Sequence, residues 1–344
     1  MLSINKQALI HNVDIIRHLA PHSKLLCMVK ANAYGHGLIP IAKCLELLDV
    51  DGLGAACLQE AIQLREAGIN TKIVIMRGVY NKNELSIAKK LNLDLVVHHE
   101  SQIELLLSEN HQFNLWIKIN TGMNRLGLNE TQIESAIEKL YKANHRLVLM
   151  THFANSETAR DAVTLEQIKK FDQMTHQYSV EKSLCNSGGI LNYPDCHRDW
   201  IRPGLMLYGV SPIKDTTSLD YKLKPVMTLE SSIISIYTAK KDEGVGYHGL
   251  YCCEENMPIG IVGAGYGDGY SSLMKSGTPV LVNGIEAPLI GRVSMDMLAI
   301  DLRNISKVKL QDRVILWGDG LPVEKIAQHN SLLAYELLCH ARER

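Results

Sequence analysis

The residues best placed for chemistry lie in one short segment, Met28–Gly37, where a lysine follows an apolar run. A lysine in this position is usually only the first solvated residue after a strand. Here Lys30 is followed by small residues and glycines, which leave room for a ligand beside its amine. A lysine in such a pocket can lose its proton and form a Schiff base with an aldehyde. The segment therefore predicts a carbonyl compound bound at Lys30.

The part of this segment from Val29 onward resembles the pyridoxal-phosphate attachment motif of the alanine racemase family. Further motifs of that family follow in the family's order: Lys118–Gly127, Thr151–Phe153, Asn186–Ser187, Arg202–Gly204, Val245–Tyr247 and Gly291–Asp296. They span residues 28–296, which is nearly the whole chain. One motif could arise by chance, whereas the ordered set indicates membership of the family.

The resemblance implies pyridoxal 5'-phosphate as the cofactor, bound covalently to Lys30. It implies that hydroxyl and backbone N–H groups bind the phosphate, supplied by Tyr34, Ser187, Gly204 and Leu205. Backbone amides in a turn can bind an anion without a full positive charge. Two further residues are assigned to the surroundings of the cofactor, His152 and Asn186. Without the family motifs, the segment after Asn186 is an ordinary loop and His152 a core histidine.

By the same resemblance, Arg202 faces the pyridine nitrogen of the cofactor. A guanidinium keeps its protons at any working pH, so it donates to that nitrogen without protonating it. The ring then stays neutral and is a weaker electron sink, which makes a carbanion at the substrate α-carbon short-lived. Rapid reprotonation favours racemisation over transamination. Taken alone, Arg202 is better interpreted as a surface arginine after a buried tryptophan.

Racemisation needs proton exchange on both faces of a planar intermediate, so a second acid–base group must lie opposite Lys30. The resemblance assigns this role to Tyr247, which in the family reaches the site from the partner subunit. It therefore implies a homodimer with shared active sites. A free tyrosine is a poor base at neutral pH, and His152 is the candidate neighbour that favours the phenolate.

Four further residues concern the substrate. The resemblance assigns Arg125 to bidentate recognition of the substrate carboxylate, and the backbone amide of Met295 to the same group from the partner chain. It places Tyr266 near the substrate entrance. Lys118 matches a lysine that many members carry as a carbamate, an anion that would hold Arg125 in place. The alternative for Lys118 is an ion pair with a nearby acid.

Three positions depart from the family's pattern. Ser183 stands where many members have a histidine that supports the cofactor-facing arginine, and Asn120 replaces a common aspartate. The chain ends at Arg344, short of the family's usual terminal stretch, so no tyrosine from that stretch can be carried over as a phosphate contact.

The resemblance implies an alanine racemase that supplies D-alanine for bacterial peptidoglycan. Three other functions are the alternatives to it. A decarboxylase of similar architecture would need an acid facing the pyridine nitrogen, which Arg202 argues against. Non-catalytic pyridoxal-phosphate carriers consist of a barrel alone, whereas this chain continues through Tyr247 and Met295. Racemisation of serine or another small amino acid stays open, as does a biosynthetic or catabolic role.

The elements that must position these residues alternate between short apolar runs and helical patterns. Eight runs are predicted strands: Leu25–Val29, Gly52–Ala56, Lys72–Met76, Leu93–Val97, Leu115–Ile119, Leu147–Met150, Ser183–Cys185 and Trp200–Ile201. Helices are predicted between them, for example at Glu100–Ser108 and Glu130–Ala143. This alternation predicts a (β/α)8 TIM-like barrel over residues 1–218. The candidate residues follow strands, and barrel enzymes place their sites at the carboxyl ends of strands.

After the barrel the pattern changes. Val226–Thr238 is rich in β-branched residues, and short runs separated by turn signals follow it. Helical periodicity returns only at Val323–His329 and Leu332–His340. We therefore predict a mostly β second domain over residues 219–344, connected through residues 211–225, that contributes residues to the partner's active site.

The composition is that of an ordinary globular enzyme. The chain of 344 residues has 36 basic and 37 acidic side chains, and neither sign forms a long run. This balance argues against binding to nucleic acid or to an anionic membrane. No apolar stretch reaches about 20 residues, and no signal peptide is evident, so a cytoplasmic location is expected. The eight cysteines contain no C-x-x-C, so reduced thiols are expected and neither zinc nor another metal is indicated.

Overall fold

The computed structural model describes residues 1–342, so Glu343 and Arg344, the end of the predicted second domain, lie outside the described residues. After a first strand β1 (Leu2–Ile4), eight parallel strands close into a barrel. These are β2 (Lys24–Met28), β3 (Gly52–Ala55), β4 (Ile73–Ile75), β5 (Asp94–Val97), β6 (Asn114–Lys118), β7 (Arg146–Met150), β8 (Glu181–Ser183) and β9 (Trp200–Ile201). The predicted (β/α)8 barrel is confirmed, and the strand ends differ from the predicted ones by no more than two residues.

Helices connect the barrel strands: α1 (Lys6–Leu19), α2 (Lys30–Tyr34), α3 (Leu38–Leu47), α4 (Leu58–Glu66), α5 (Lys82–Lys90), α6 (Glu100–Leu107), α7 (Glu130–Lys142), α8 (Ala162–Thr175) and α9 (Ser187–Asn192). Helix α7 illustrates why they form. Asn129 caps its first turn in a capping box with Gln132, and its buried residues recur at helical spacing. The barrel interior is filled, since a Cβ on Gly54 would lie 1.6 Å from Cε of Met28.

The second domain is mostly antiparallel sheet, as predicted. Its strands are β10 (Met227–Ala239), β11 (Gly244–Val245), β12 (Tyr251–Cys252), β13 (Met257–Val262), β14 (Pro279–Val282), β15 (Ile285–Ile290), β16 (Leu298–Asp301) and β17 (Arg313–Trp317). The long strand β10 bends at two register shifts and pairs with β1, β13 and β17. Helices α10 (Val323–Asn330) and α11 (Ala334–His340) end the described chain. Among residues 1–342, none of the helices is long and apolar enough to cross a membrane.

The first residues of the chain belong to this second sheet. Strand β1 pairs with the start of β10, with Leu2 opposite Leu229 and Ile4 opposite Met227. Asn5 then caps α1, which returns the chain to the barrel. The sequence analysis did not predict this strand, because three residues are too few to show an alternating pattern.

The amino-terminal end of the barrel is closed by a buried carboxylate. Asp94, at the first position of β5, is 4 % exposed. It accepts hydrogen bonds from Lys72 Nζ (3.0 Å), Asn114 Nδ2 (2.9 Å) and Trp116 Nε1 (3.3 Å). One side chain therefore links three neighbouring strand regions.

Replacing Asp94 with alanine should destabilise the protein by about 3 kcal/mol, because a buried indole N–H and a partly buried ammonium lose their acceptor. The measurement is the urea midpoint followed by tryptophan fluorescence. Asp14→Ala, at an exposed position of α1, is the matched control. Equal midpoints for the two variants would contradict a stabilising role for Asp94.

Candidate active site

The segment that carries the lysine folds into a left-handed turn directly after β2. All four residues of Ala31–Tyr34 have φ between 52° and 55°, a region that residues other than glycine rarely adopt. Gly35 continues it at φ 81°. The side-chain oxygen of Asn32 accepts a hydrogen bond from the N–H of Leu38 (2.8 Å) and ties the turn to the next helix. The turn begins at Lys30 and therefore holds it at the carboxyl end of the barrel.

An aromatic stack supports the end of this turn. The ring centroid of Tyr208 lies 4.9 Å from that of Tyr34 and 4.4 Å from that of His36. The Tyr208 hydroxyl donates to the carbonyl oxygen of Met28 (2.8 Å). A Cβ on Gly204 would lie 2.7 Å from the hydroxyl oxygen of Tyr34, so only glycine allows this approach. The Tyr34 hydroxyl is therefore fixed beside the backbone of Gly204.

A cavity of about 580 Å³ opens among these elements. It brings together nine residues that the sequence analysis selected: Lys30, Tyr34, Lys118, Arg125, His152, Asn186, Ser187, Arg202 and Gly204. The side chain of Leu205, also selected, is buried next to Gly204 in the chain and is not among the described residues that line the cavity. The carboxyl ends of different barrel strands thus converge on one site, as such barrels require.

Arg202 is buried in the wall of this cavity and is 2 % exposed. Its Nη1 donates to Oγ of Ser183 (2.6 Å), and its Nη2 donates to the carbonyl oxygens of Thr151 (2.5 Å) and Leu184 (3.1 Å). Burial lowers its pKa to about 10, so it is protonated at neutral pH. No described residue accepts from Nε, which leaves this donor for a ligand. Ser183 supports the guanidinium directly, in the position where the family pattern has a histidine.

Lysine and arginine side chains dominate the electrostatics of the cavity. Burial, followed by Arg125 and Arg202, lowers the pKa of Lys30. Burial, followed by Arg125, Arg202 and Lys30, lowers the pKa of Lys118 to about 8. Burial, followed by Arg202 and then the other cations, holds the pKa of His152 well below its ordinary value, so its ring is neutral at pH 7. The two amines and the imidazole are therefore biased toward their unprotonated forms.

Hydrogen-bonding groups cluster around Ser187. Its hydroxyl oxygen accepts from the N–H groups of Gly204 (2.9 Å) and Met206 (3.4 Å). Asn186 Oδ1 accepts from the N–H of Gly189 (3.0 Å), which fixes the start of α9. With the tyrosine hydroxyl beside Gly204, these groups form a compact set able to bind an anion.

Three selected residues lie on the second domain, and none of them is among the described residues that line this cavity. All are exposed: Tyr247 (65 %), Tyr266 (43 %) and Met295 (57 %). The loops of the last two are joined, since Tyr266 N–H donates to Ser294 O (3.0 Å) and Gly267 N–H donates to Met295 O (2.7 Å). A Cβ on Gly265 would lie 2.2 Å from Ser294 O, which explains the glycine there. A single chain therefore presents these side chains on its surface.

Tyr335 lines the cavity and was missed by the sequence analysis. Its ring centroid lies 5.8 Å from that of Tyr34. The helix that contains it was predicted at Leu332–His340, but no tyrosine of the family's terminal stretch was carried over to this sequence, so Tyr335 was not selected. Helix α11 reaches the site because it packs on the lysine turn, where a Cβ on Gly35 would lie 2.1 Å from Leu338 O.

Two charged residues of the cavity were also missed, Arg77 and Glu157. Arg77 directly follows the third predicted strand, so its position at a strand end was a signal that could have selected it. Glu157 lies in the loop after β7, and nothing in its local sequence distinguishes it from a solvated glutamate.

The fold and the cavity together define a class of protein, a two-domain enzyme whose (β/α)8 barrel holds a lysine and a buried arginine at its carboxyl end. Family comparison narrows this class. Residues 4–212 match the alanine racemase N-terminal domain, and residues 226–344 match the alanine racemase C-terminal domain. The chain belongs to the alanine racemase family, which confirms the resemblance and the enzyme class predicted from its motifs.

Individual relatives agree with this result over their full length. The alanine racemase of Coxiella burnetii (strain CbuG_Q212) is 45 % identical over 352 residues, covering 99 % of this chain and 96 % of that protein. The biosynthetic alanine racemase of Pseudomonas aeruginosa has a similar structure, with a TM-score of 0.96, 36 % identity and coverage of 100 % and 97 %. The alanine racemase of Bartonella henselae, solved with covalently bound pyridoxal phosphate, has a TM-score of 0.90, 26 % identity and coverage of 99 % and 97 %.

Proposed function

We propose that this protein interconverts L-alanine and D-alanine with pyridoxal 5'-phosphate held on Lys30. The observation that carries the proposal is the convergence of Lys30, Arg202 and the hydroxyl groups around Ser187 in one cavity of a chain that matches both domains of the family. The covalently bound cofactor of the B. henselae relative supports it. We further propose that it works in the cytoplasm and supplies D-alanine for peptidoglycan, in line with the biosynthetic alanine racemase of P. aeruginosa to which it is similar.

The residues of the cavity fit this cofactor. Tyr34 and Ser187 offer hydroxyl donors for a phosphate, and Gly204 and Leu205 would contribute through their backbone beside these hydroxyls. The free Nε of Arg202 offers a donor for the pyridine nitrogen, and Lys30 offers an amine of lowered pKa. When bound, the cofactor withdraws electrons from the substrate α-carbon and so makes its proton removable.

Arg202 would control how strongly the bound cofactor withdraws electrons from the substrate α-carbon. Its hydrogen bonds to two carbonyl oxygens and to Ser183 hold the guanidinium rigidly. With a pKa of about 10 it keeps its proton at neutral pH, so it donates to the ring without protonating it. A ring that stays neutral favours return of a proton to the α-carbon, and therefore racemisation, over transamination.

Two acid–base groups on opposite faces would exchange the α-proton. Lys30 serves one face, since its lowered pKa favours the neutral amine. Tyr247 serves the other, and its 65 % exposure fits a side chain that completes the cavity of a partner copy. The exposed Tyr266 and Met295 would enter the partner's site with it. The protein would then act as a homodimer with shared sites.

His152 would assist Tyr247. Arg202 Nη2 lies 3.4 Å from Nδ1 of His152, and an N–H that it shares between this nitrogen and a carbonyl oxygen would favour the neutral tautomer whose proton resides on Nε2. An N–H at Nε2 would donate to the phenolate oxygen of the partner's tyrosine and favour its basic form.

Arg125 would bind the substrate carboxylate, with Lys118 as its support. The charged groups that act on Lys118 are all cations, and its pKa is about 8. A neutral amine adds carbon dioxide to form an N–C bond and releases one proton, which yields a carbamate anion. That anion would accept hydrogen bonds from Arg125 and orient its guanidinium.

The first test uses purified protein, the cofactor and single L-amino acids, with D-isomer formation as the measurement. L-Alanine should be converted. Borohydride should stop turnover and leave the cofactor attached to the peptide that contains Lys30. Lys30→Ala should lose activity by about 10³-fold or more, because it removes the attachment site and one acid–base group. The control Lys89→Ala, at an exposed position, should remain active. Labelling at Lys118 instead would overturn the assignment.

The second test separates the two faces. The family resemblance assigns the α-proton of L-alanine to Tyr247 and that of D-alanine to Lys30. In deuterated water, Tyr247→Phe should therefore exchange the α-proton of L-alanine about 10²–10⁴-fold more slowly while retaining exchange from D-alanine. Net racemisation must fall equally in both directions, because the two free enantiomers have equal free energy. Tyr141→Phe, exposed on the barrel, is the control.

Mixing Tyr247→Phe with Lys30→Ala tests whether sites are shared. One site of each hybrid dimer would carry both native residues, so part of the activity should return. Equal residual exchange from both enantiomers, with no recovery on mixing, would refute the two-base, shared-site proposal.

The third test concerns the carbamate. Removing carbon dioxide should raise the KM for alanine by about tenfold, since Arg125 loses a charged partner, and bicarbonate should restore it. The effect should be larger above pH 8, where the Lys118 amine is mostly neutral. Lys118→Ala should not respond to bicarbonate, whereas the exposed control Lys142→Ala should. A wild-type KM independent of carbon dioxide would exclude the carbamate.

A further inference from the structure

One carboxylate outside the described site contacts the backbone on which Lys30 depends. Glu60 lies on α4 and accepts a hydrogen bond from the N–H of Ala31 at Oε1 (2.8 Å). Its Oε2 accepts from the N–H of Ala56, the residue after β3 (2.7 Å). A single side chain thus connects the peptide that follows Lys30 to the end of the neighbouring barrel strand.

The turn that Glu60 holds is strained. A left-handed conformation is disfavoured for each residue that has a Cβ, and Ala31–Tyr34 contains four such residues. Strained backbone of this kind persists only where its surroundings fix it. The bond from Ala31 to Glu60 fixes the first of these residues, directly after Lys30.

Glu60 also differs in charge from the other groups near the Lys30 amine. Arg125 and Arg202 lower the pKa of that amine, whereas Glu60 raises it, with a smaller contribution in the same direction from Cys339. Lys118 and His152 face the same amine from the strands across the cavity. Glu60 therefore opposes the cations that surround Lys30.

We infer that Glu60 is a positioning residue, whose two hydrogen bonds orient Lys30 toward the face of the substrate from which it exchanges a proton. The inference rests on the proposed function, in which Lys30 takes the proton of D-alanine. The positioning role requires a carboxylate at residue 60, because the groups that bind its two oxygens, the N–H groups of Ala31 and Ala56, are both donors. A glutamine has one acceptor oxygen, so one of the two amides would face an NH₂ group.

The first measurement is deuterium exchange at the α-carbon of each enantiomer. Glu60→Gln should slow exchange from D-alanine by about tenfold to a hundredfold, the scale expected for a small misplacement of a reacting group. Exchange from L-alanine, which uses Tyr247, should fall much less. Glu66→Gln, exposed at the end of the same helix, is the matched control and should behave as wild type.

The second measurement does not depend on turnover. Full-length protein prepared without cofactor is acetylated over a range of pH, and modification of Lys30 is followed by mass spectrometry. Loss of the Glu60 charge should move the midpoint of Lys30 labelling to lower pH. Glu60→Asp keeps the charge on a shorter side chain that cannot reach both amides. Glu60→Asp should therefore slow exchange from D-alanine and leave the pH midpoint of Lys30 labelling nearly unchanged. If Glu60→Gln does not fold, Glu60→Asp takes its place in the exchange experiment.

The outcomes separate the two proposals. If Tyr247→Phe shows no difference between enantiomers, the proposed function fails, and the labelling experiment still tests Glu60. If Tyr247→Phe shows that difference but both Glu60 variants exchange D-alanine at the wild-type rate, the positioning role is refuted. Equal losses for both enantiomers would also refute it, since they indicate only general disruption.

Discussion

Arg202 is a permanent charge buried in the barrel with no carboxylate hydrogen-bonded to it among the described residues, and the rest of the site depends on this arrangement. Carbonyl oxygens and the Ser183 hydroxyl satisfy the guanidinium without neutralising it. Burial lowers the pKa of Lys30, Lys118 and His152, and the unneutralised charge of Arg202 adds to that effect on each of them. A buried carboxylate in its place would remove this contribution and oppose the effect of burial.

The second constraint is the strained turn at Ala31–Tyr34, which is stabilised from several directions. Glu60 binds its first amide, Tyr208 stacks on its last side chain, and α11 packs against the Gly35 that follows. These supports come from α4, the end of the barrel and the carboxyl end of the chain. The position of one lysine thus depends on residues from widely separated parts of the sequence.

The third feature is that one chain holds only part of the proposed machinery. The cavity gathers the residues of the barrel and Tyr335, whereas Tyr247, Tyr266 and Met295 are exposed on the second domain. Exposed apolar side chains that lie together commonly mark a surface that another protein covers, and backbone hydrogen bonds join the loops of Tyr266 and Met295. This supports the proposal that a second copy supplies them to the site.

Much of this could be predicted from the sequence, because local patterns carry the information. Apolar runs of two to five residues, alternating with helical patterns, predicted eight strands and therefore the barrel, and the ordered set of family motifs predicted nine of the cavity residues. Other features depend on contacts between distant segments. Strand β1 is too short for a pattern, and Tyr335, Glu157 and Glu60 have ordinary local sequences. Only the folded chain brings α11 onto the lysine turn and the Glu60 carboxylate onto two backbone amides. Contacts between segments that are distant in the sequence produce no local periodic pattern from which they could be predicted.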